Sequence, residues 1–113
     1  ANVVGSRADG WWRDRAGAAR RLHEQLSIAD LPHEEIVLVL EGAARPGHPQ
    51  GRDGHLRTVH APRSGDDAIV RVAREEVGAG HDVVVVTADR MLRARVEAAG
   101  ASFLGPSWLL SHL

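Results

Sequence analysis

The sequence predicts an α/β domain with a mainly parallel central sheet and helices on both faces. Three observations carry this expectation. Ile36–Leu40 and Val83–Val86 are continuous apolar runs without polar alternation, the pattern of strands covered on both sides. Stretches with helical periodicity separate the strand-like runs, and that alternation defines α/β architecture. At 113 residues the chain has the length of one domain, spanning 1–113. A chain of that size buries about 65% of its unfolded surface, enough for a core without staples.

The elements follow in order. Ala1–Val4 reads as the tail of a strand. Asp14–Leu26 places Ala18, Ala19, Leu22 and Leu26 on one helical stripe, with Arg15, Arg20 and Arg21 elsewhere. Ile36–Leu40 is a buried strand. Glu41–His55 holds Gly42, Pro46, Gly47, Pro49, Gly51 and Gly54 and almost nothing apolar. It is expected to be a structureless, flexible loop, a rarity in a small domain unless functional. Leu56–Ala61 is a half-buried strand. Asp66–Val77 carries Ile69, Ala73 and Val77 at a spacing of four, and Asp89–Ala99 carries Leu92, Val96 and Ala99. Gly78 and Gly100 stand where helix C-terminal glycines belong. Ala101–Leu104 is a weaker strand, and Pro106-Ser107 can start a last short helix with Trp108, Leu109 and Leu113.

Composition removes several chemistries. There is no cysteine, so disulfides, thiolate catalysis and iron–sulfur clusters are excluded. All 14 basic residues are arginine. Without lysine there is no P-loop and no Schiff base, while each arginine is a planar fork suited to phosphate. Net charge is −1, so any nucleic-acid affinity must come from a patch. No apolar run approaches the roughly 20 residues that span a bilayer. Ala1–Gly10 does not show the charged start and apolar stretch of a secretory leader. A cytoplasmic location is therefore expected.

Ligands of open α/β sheets bind at the carboxyl ends of the strands. Glu41 follows Ile36–Leu40. Gly65-Asp66-Asp67 opens the helix after Leu56–Ala61, and Thr87-Ala88-Asp89-Arg90 follows Val83–Val86. Three connections thus deliver acids to one sheet edge. Singly, Asp66, Asp67 and Asp89 are ordinary first-turn acids, favourable by about 0.3–1 kcal/mol. Ser64 or Asp66 can be an N-cap. Two carboxylates about 5 Å apart at an effective dielectric near 20 repel by roughly 3 kcal/mol, more than a helix terminus returns. A hard divalent cation offsets that, and oxygen-only ligands suit Mg²⁺ or Mn²⁺.

Asn2-Val3-Val4-Gly5-Ser6, Leu40-Glu41-Gly42, Gly65-Asp66-Asp67-Ala68-Ile69 and Thr87-Ala88-Asp89-Arg90 resemble the NYN branch of the PIN-like nucleases. Within it they are most similar to the YacP-like group of predicted RNA-binding proteins with a PIN domain. Trp11-Trp12-Arg13-Asp14-Arg15 and Gly105-Pro106-Ser107-Trp108-Leu109-Leu110 look like its actinobacterial members. The resemblance covers essentially the whole chain, in order; each motif alone is short. It implies a PIN-like (Rossmann-like) three-layer domain and metal-dependent endoribonuclease activity. The family's metal ligands carry over to Asp66 and Asp89, with Asp67 beside them as ligand or water-orienting group. Glu41 stands where relatives often have aspartate. Asn2 matches an asparagine just after the first strand. The family pattern begins with an apolar strand and an aspartate ahead of that asparagine. This chain starts at Ala1, so the first strand is expected to be truncated.

On this reading Asp66, Asp67 and Asp89 serve hydrolysis, and Glu41, Asp66 and Asp89 hold one or two Mg²⁺ or Mn²⁺ ions. Ser6 and Thr87 donate to phosphate oxygens. Arg7, Arg63 and Arg90 bind flanking phosphates through charge-assisted pairs. The loop bearing Arg45, His48, Arg52, His55 and Arg57 either closes over single-stranded RNA or is an idle solvated connection. Trp11 and Trp12 fit a helix-start staple better than a base-stacking platform. The seven histidines show no convincing helical metal spacing and read mostly as surface residues. Gly78-Ala79-Gly80 precedes a strand, so it is not a dinucleotide loop. The expected partner is RNA, with ribosome association a further expectation. The alternatives are a non-catalytic RNA- or ribosome-binding module and a small-molecule phosphatase.

Overall fold

The computed structural model describes residues 13–29 and 35–113. Helix α1 (Arg15–Ile28) is started by Asp14, whose Oδ1 accepts from Gly17 N at 2.9 Å. Its apolar stripe buries Ala18, Ala19, Leu22 and Leu26, as the periodicity predicts. His23 is buried on the same stripe.

Strand β1 (Ile36–Leu40) pairs in parallel with β3 (Leu56–His60) in the register Ile36 to Leu56. Between them the sequence predicts no structure, and here the structure differs. Gly42–Gly47 forms a 3-10 turn, and Gly51–Asp53 forms strand β2, antiparallel to β3. The physical reason is packing that composition does not reveal. Ala44 and Gly47 are buried, and the turn lies on α1 so closely that a Cβ at Gly47 would sit 2.5 Å from Ala16 O. A two-residue turn with Gly54 at φ +62° closes the β2–β3 hairpin.

Helix α2 (Gly65–Gly78) begins at Ser64, whose Oγ accepts from Asp67 N; this resolves the cap in favour of Ser64. Gly78 belongs to the helix, and the left-handed position falls on Gly80, at φ +88°. Strand β4 (Val84–Val86) pairs in parallel with β5 (Ser102–Leu104). Helix α3 (Arg90–Ala98) lies between them, capped by Asp89. Gly100 takes φ +94° after it, where the sequence places a C-terminal glycine. Helix α4 (Pro106–Leu110) starts on proline.

The result is a small α/β body with a mixed three-stranded sheet, order β1-β3-β2, and a parallel pair β4-β5. It has two cores. Leu22 and Leu26 of α1 meet Leu38, Leu40, Leu56 and Leu109 in one. Val70 and Ala73 of α2 meet Val85, Leu92 and Val96 in the other. Strands β1 and β4 do not pair with each other. A groove of about 1150 Å³ separates them, with Ile36–Leu40 on one wall and Val83–Val86 on the other. The Ala1–Val4 strand expected between them lies outside the described residues. No described helix is long and apolar enough to cross a membrane.

Candidate functional site

The acids meet where the connections place them, at the carboxyl ends of β1 and β4 and the start of α2. Glu41 leaves β1 and turns onto the N-terminus of α2, where its Oε2 accepts from Gly65 N at 2.6 Å. The approach is close enough that a Cβ at Gly65 would meet the Glu41 carboxyl carbon at 2.9 Å. Asp66, half-buried, stands one residue further on. Asp89 follows β4, and its Oδ1 accepts from Met91 N and Leu92 N at 2.8 and 3.1 Å.

Electrostatics ties these acids together. Burial pushes the Asp66 carboxyl above the usual aspartate range; the charges of Asp89, Glu41 and Asp67 push it further, and Arg95 opposes them. Asp66 is therefore the focus of the negative edge. Asp67 is turned outward, with its Oδ1 accepting from Arg95 Nη2 at 2.8 Å. The oxygens of Glu41, Asp66 and Asp89 do not close to within 4.8 Å of one another as a set.

Several side chains take roles other than those expected. Thr87 is fully buried, and its Oγ1 accepts from Asp89 N at 3.0 Å. It supports Asp89 and does not face a phosphate. Arg63 and Arg90 are exposed. Asn2, Ser6, Arg7, Trp11 and Trp12 lie outside the described residues. The basic loop is held by the protein itself. Arg52 pairs with Glu35 at 2.8 Å and Arg57 with Glu76 at 3.7 Å. Arg45 donates to Gly42 O, and His55 Nε2 donates to Leu26 O at 3.3 Å. These contacts tie parts of the segment to the rest of the fold, so it is not structureless.

The histidines need the largest correction. His23 is 7% exposed and stacks on His48, ring centroids 3.6 Å apart. Both Nε2 atoms lie 3.5 Å from Asp53 Oδ2. One signal was available in the sequence: His23 sits four residues after Ala19 and three before Leu26, on the apolar stripe. Its two partners come from a segment that reads as featureless.

No family model, curated protein or solved structure matches the chain.

Proposed function

We propose that the acidic edge is the active site of a metal-dependent endoribonuclease that hydrolyses RNA phosphodiester bonds. The observation that carries this reading is the crowding of Asp66 by Glu41 and Asp89, each delivered by a different connection. Folding has gathered like charges around a partly desolvated carboxyl, while Glu41 and Asp89 also cap the starts of α2 and α3. The donors are all carboxylate oxygens, the set a hard divalent cation prefers. Glu41, Asp66 and Asp89 would hold Mg²⁺ or Mn²⁺. When bound, such a cation lowers the pKa of a coordinated water and neutralises charge on the scissile phosphate. The chain's own groups do the rest. Thr87 and the α3 N-terminus fix Asp89, Gly65 N fixes Glu41, and exposed Arg63 and Arg90 hold flanking phosphates.

The finer architecture belongs to the same proposal. The groove between β1 and β4 has a strand on each wall with no strand paired on the facing side among the described residues. A parallel strand seated there would join the two sheets into one PIN-like layer. A cytoplasmic location and an RNA partner go with this reading.

One observation favours a second reading, an RNA-binding module without cleavage. Glu41 Oε2 and Asp89 Oδ1 already accept backbone N–H groups, so their remaining lone pairs alone are open to a cation. The test is cleavage of single-stranded RNA with and without Mn²⁺, for the wild type and Asp66→Asn. Cleavage that needs Mn²⁺ and is lost in the variant supports the nuclease. Salt-sensitive binding without cleavage selects the binding module. Arg90→Ala should weaken RNA binding on every sequence and flatten the salt slope by about one charge. An affinity that ignores salt would discard both readings.

A further inference from the structure

We propose that His23, His48 and Asp53 form a second metal site, for a borderline cation of the Zn²⁺ class, distinct from the acidic edge. Their ligand atoms all lie within 4.8 Å of one another, and no other trio among the described residues does so. A tetrahedral zinc with bonds of about 2.0–2.1 Å places its ligand atoms roughly 3.3 Å apart. Two of the three pairs here are already at 3.5 Å. The third pair, between the two imidazoles, lies within 4.8 Å.

The donor atoms are set for a cation. His48 Nδ1 lies 2.9 Å from Pro49 O. A carbonyl oxygen only accepts, so Nδ1 donates to it and Nε2 is the ring atom that faces Asp53. Orientation of a ligating histidine through its other nitrogen is the usual outer-shell device of metal sites. His60 Nε2 donates to His48 O at 2.7 Å and fixes the backbone behind the ring. His23 Nε2 is buried and has no hydrogen-bond partner. A buried nitrogen left that way is costly, and a cation between it and Asp53 removes the cost. Two imidazoles and one carboxylate suit zinc and its neighbours better than Mg²⁺. Asp53 is half exposed, which leaves a fourth position to water. The three ligands come from α1, the end of the 3-10 turn and β2, so the cation would clamp the 41–55 segment onto α1.

The experiment is thermal melting of the full chain, stripped of metal, with added Zn²⁺. The melting temperature should rise on the order of 10 °C at free Zn²⁺ about a hundred times Kd. Titration should give one site per chain, and Co²⁺ in its place should give the visible bands of a four-coordinate centre. His48→Phe keeps a ring stacked on His23 but removes the nitrogen; Asp53→Asn changes an exposed group. Both variants should fold, lose most of the zinc shift and lose the cobalt bands. Asp66→Asn and His81→Ala should keep the shift, which separates this site from the acidic edge and from an exposed histidine elsewhere. The proposal is overturned if the wild type shows no zinc shift, or if the shift survives in both His48→Phe and Asp53→Asn.

Discussion

The acidic edge and the histidine corner are opposite answers to the question of how a small domain holds polar groups close together. At the edge, Glu41 and Asp89 are anchored by the N–H groups of α2 and α3, and the crowding falls on Asp66. At the corner, two stacked imidazoles and a carboxylate approach without a hydrogen bond to satisfy the buried His23 Nε2. The edge combines desolvation of Asp66 with the charge of its neighbours, and the corner leaves a buried imidazole nitrogen unsatisfied. On the two proposals a cation would relieve each strain, and the donors decide which: a hard one for oxygens alone, a borderline one for two nitrogens and an oxygen.

The largest expected effect tests whether the two regions act independently. Asp66→Asn should lower Mn²⁺-dependent cleavage at least about a hundredfold, since the metal is no longer held against the phosphate, while leaving the zinc-induced melting shift intact. A variant that lost both would show that the regions are one coupled unit. Next in size is Gly47→Ala. The new Cβ would meet Ala16 O at 2.5 Å and Ala19 Cβ at 2.8 Å, and one of these neighbours is backbone. Forced repacking of this kind costs about 1–3 kcal/mol. Because it lifts the turn that carries His48, urea unfolding should show the loss of stability and the zinc shift should shrink. Gly65→Ala is the milder counterpart at the acidic edge. Its Cβ would press on the end of the flexible Glu41 side chain. Glu41 should swing off Gly65 N, at about 1 kcal/mol for the lost cap. Unchanged stability would mean that the Glu41 contact contributes nothing.

The two regions also differ in how much of them could be read from the chain. The acids were legible because Glu41 and Asp89 follow apolar runs and Asp66 and Asp89 stand at helix starts, and local periodicity reveals both. The helices and four strands are legible for the same reason: Ala18, Leu22 and Leu26, or Leu92 and Val96, announce a buried stripe. The histidine corner was not legible. His23 and His48 are 25 positions apart, and the second lies in a segment whose glycines and prolines conceal its packing on α1. Gly47 illustrates the limit. In sequence it marks a loop, but in the fold it is the small residue that lets the turn reach Ala16 and Ala19. Thr87 illustrates another. A hydroxyl beside a candidate site suggests a phosphate contact, yet burial commits it to Asp89 N.

The smallest expected effect is also the most direct probe of the acidic edge. Asp66 titrates above the ordinary aspartate value of 3.8 in the folded protein. Between the ordinary and the raised value the folded state therefore binds more protons than the unfolded chain. Unfolding free energy then falls as pH rises through that window, so ionised Asp66 opposes folding at neutral pH. Asp66→Asn removes this slope. Without metal, the variant should be slightly more stable than the wild type at pH 7, by less than about 1 kcal/mol because the group is partly solvated. The advantage should shrink as pH falls toward 3.8, where the wild-type carboxyl takes up its proton. A helix-start acid without crowding gives the opposite sign. Its charge favours the α2 N-terminus by about 0.3–1 kcal/mol, so the variant would be the less stable protein at pH 7. Urea unfolding of both proteins from pH 4 to pH 7 in a chelator distinguishes the cases by sign alone. A variant less stable at pH 7 would remove the crowding of Asp66, and with it the observation on which the nuclease reading rests.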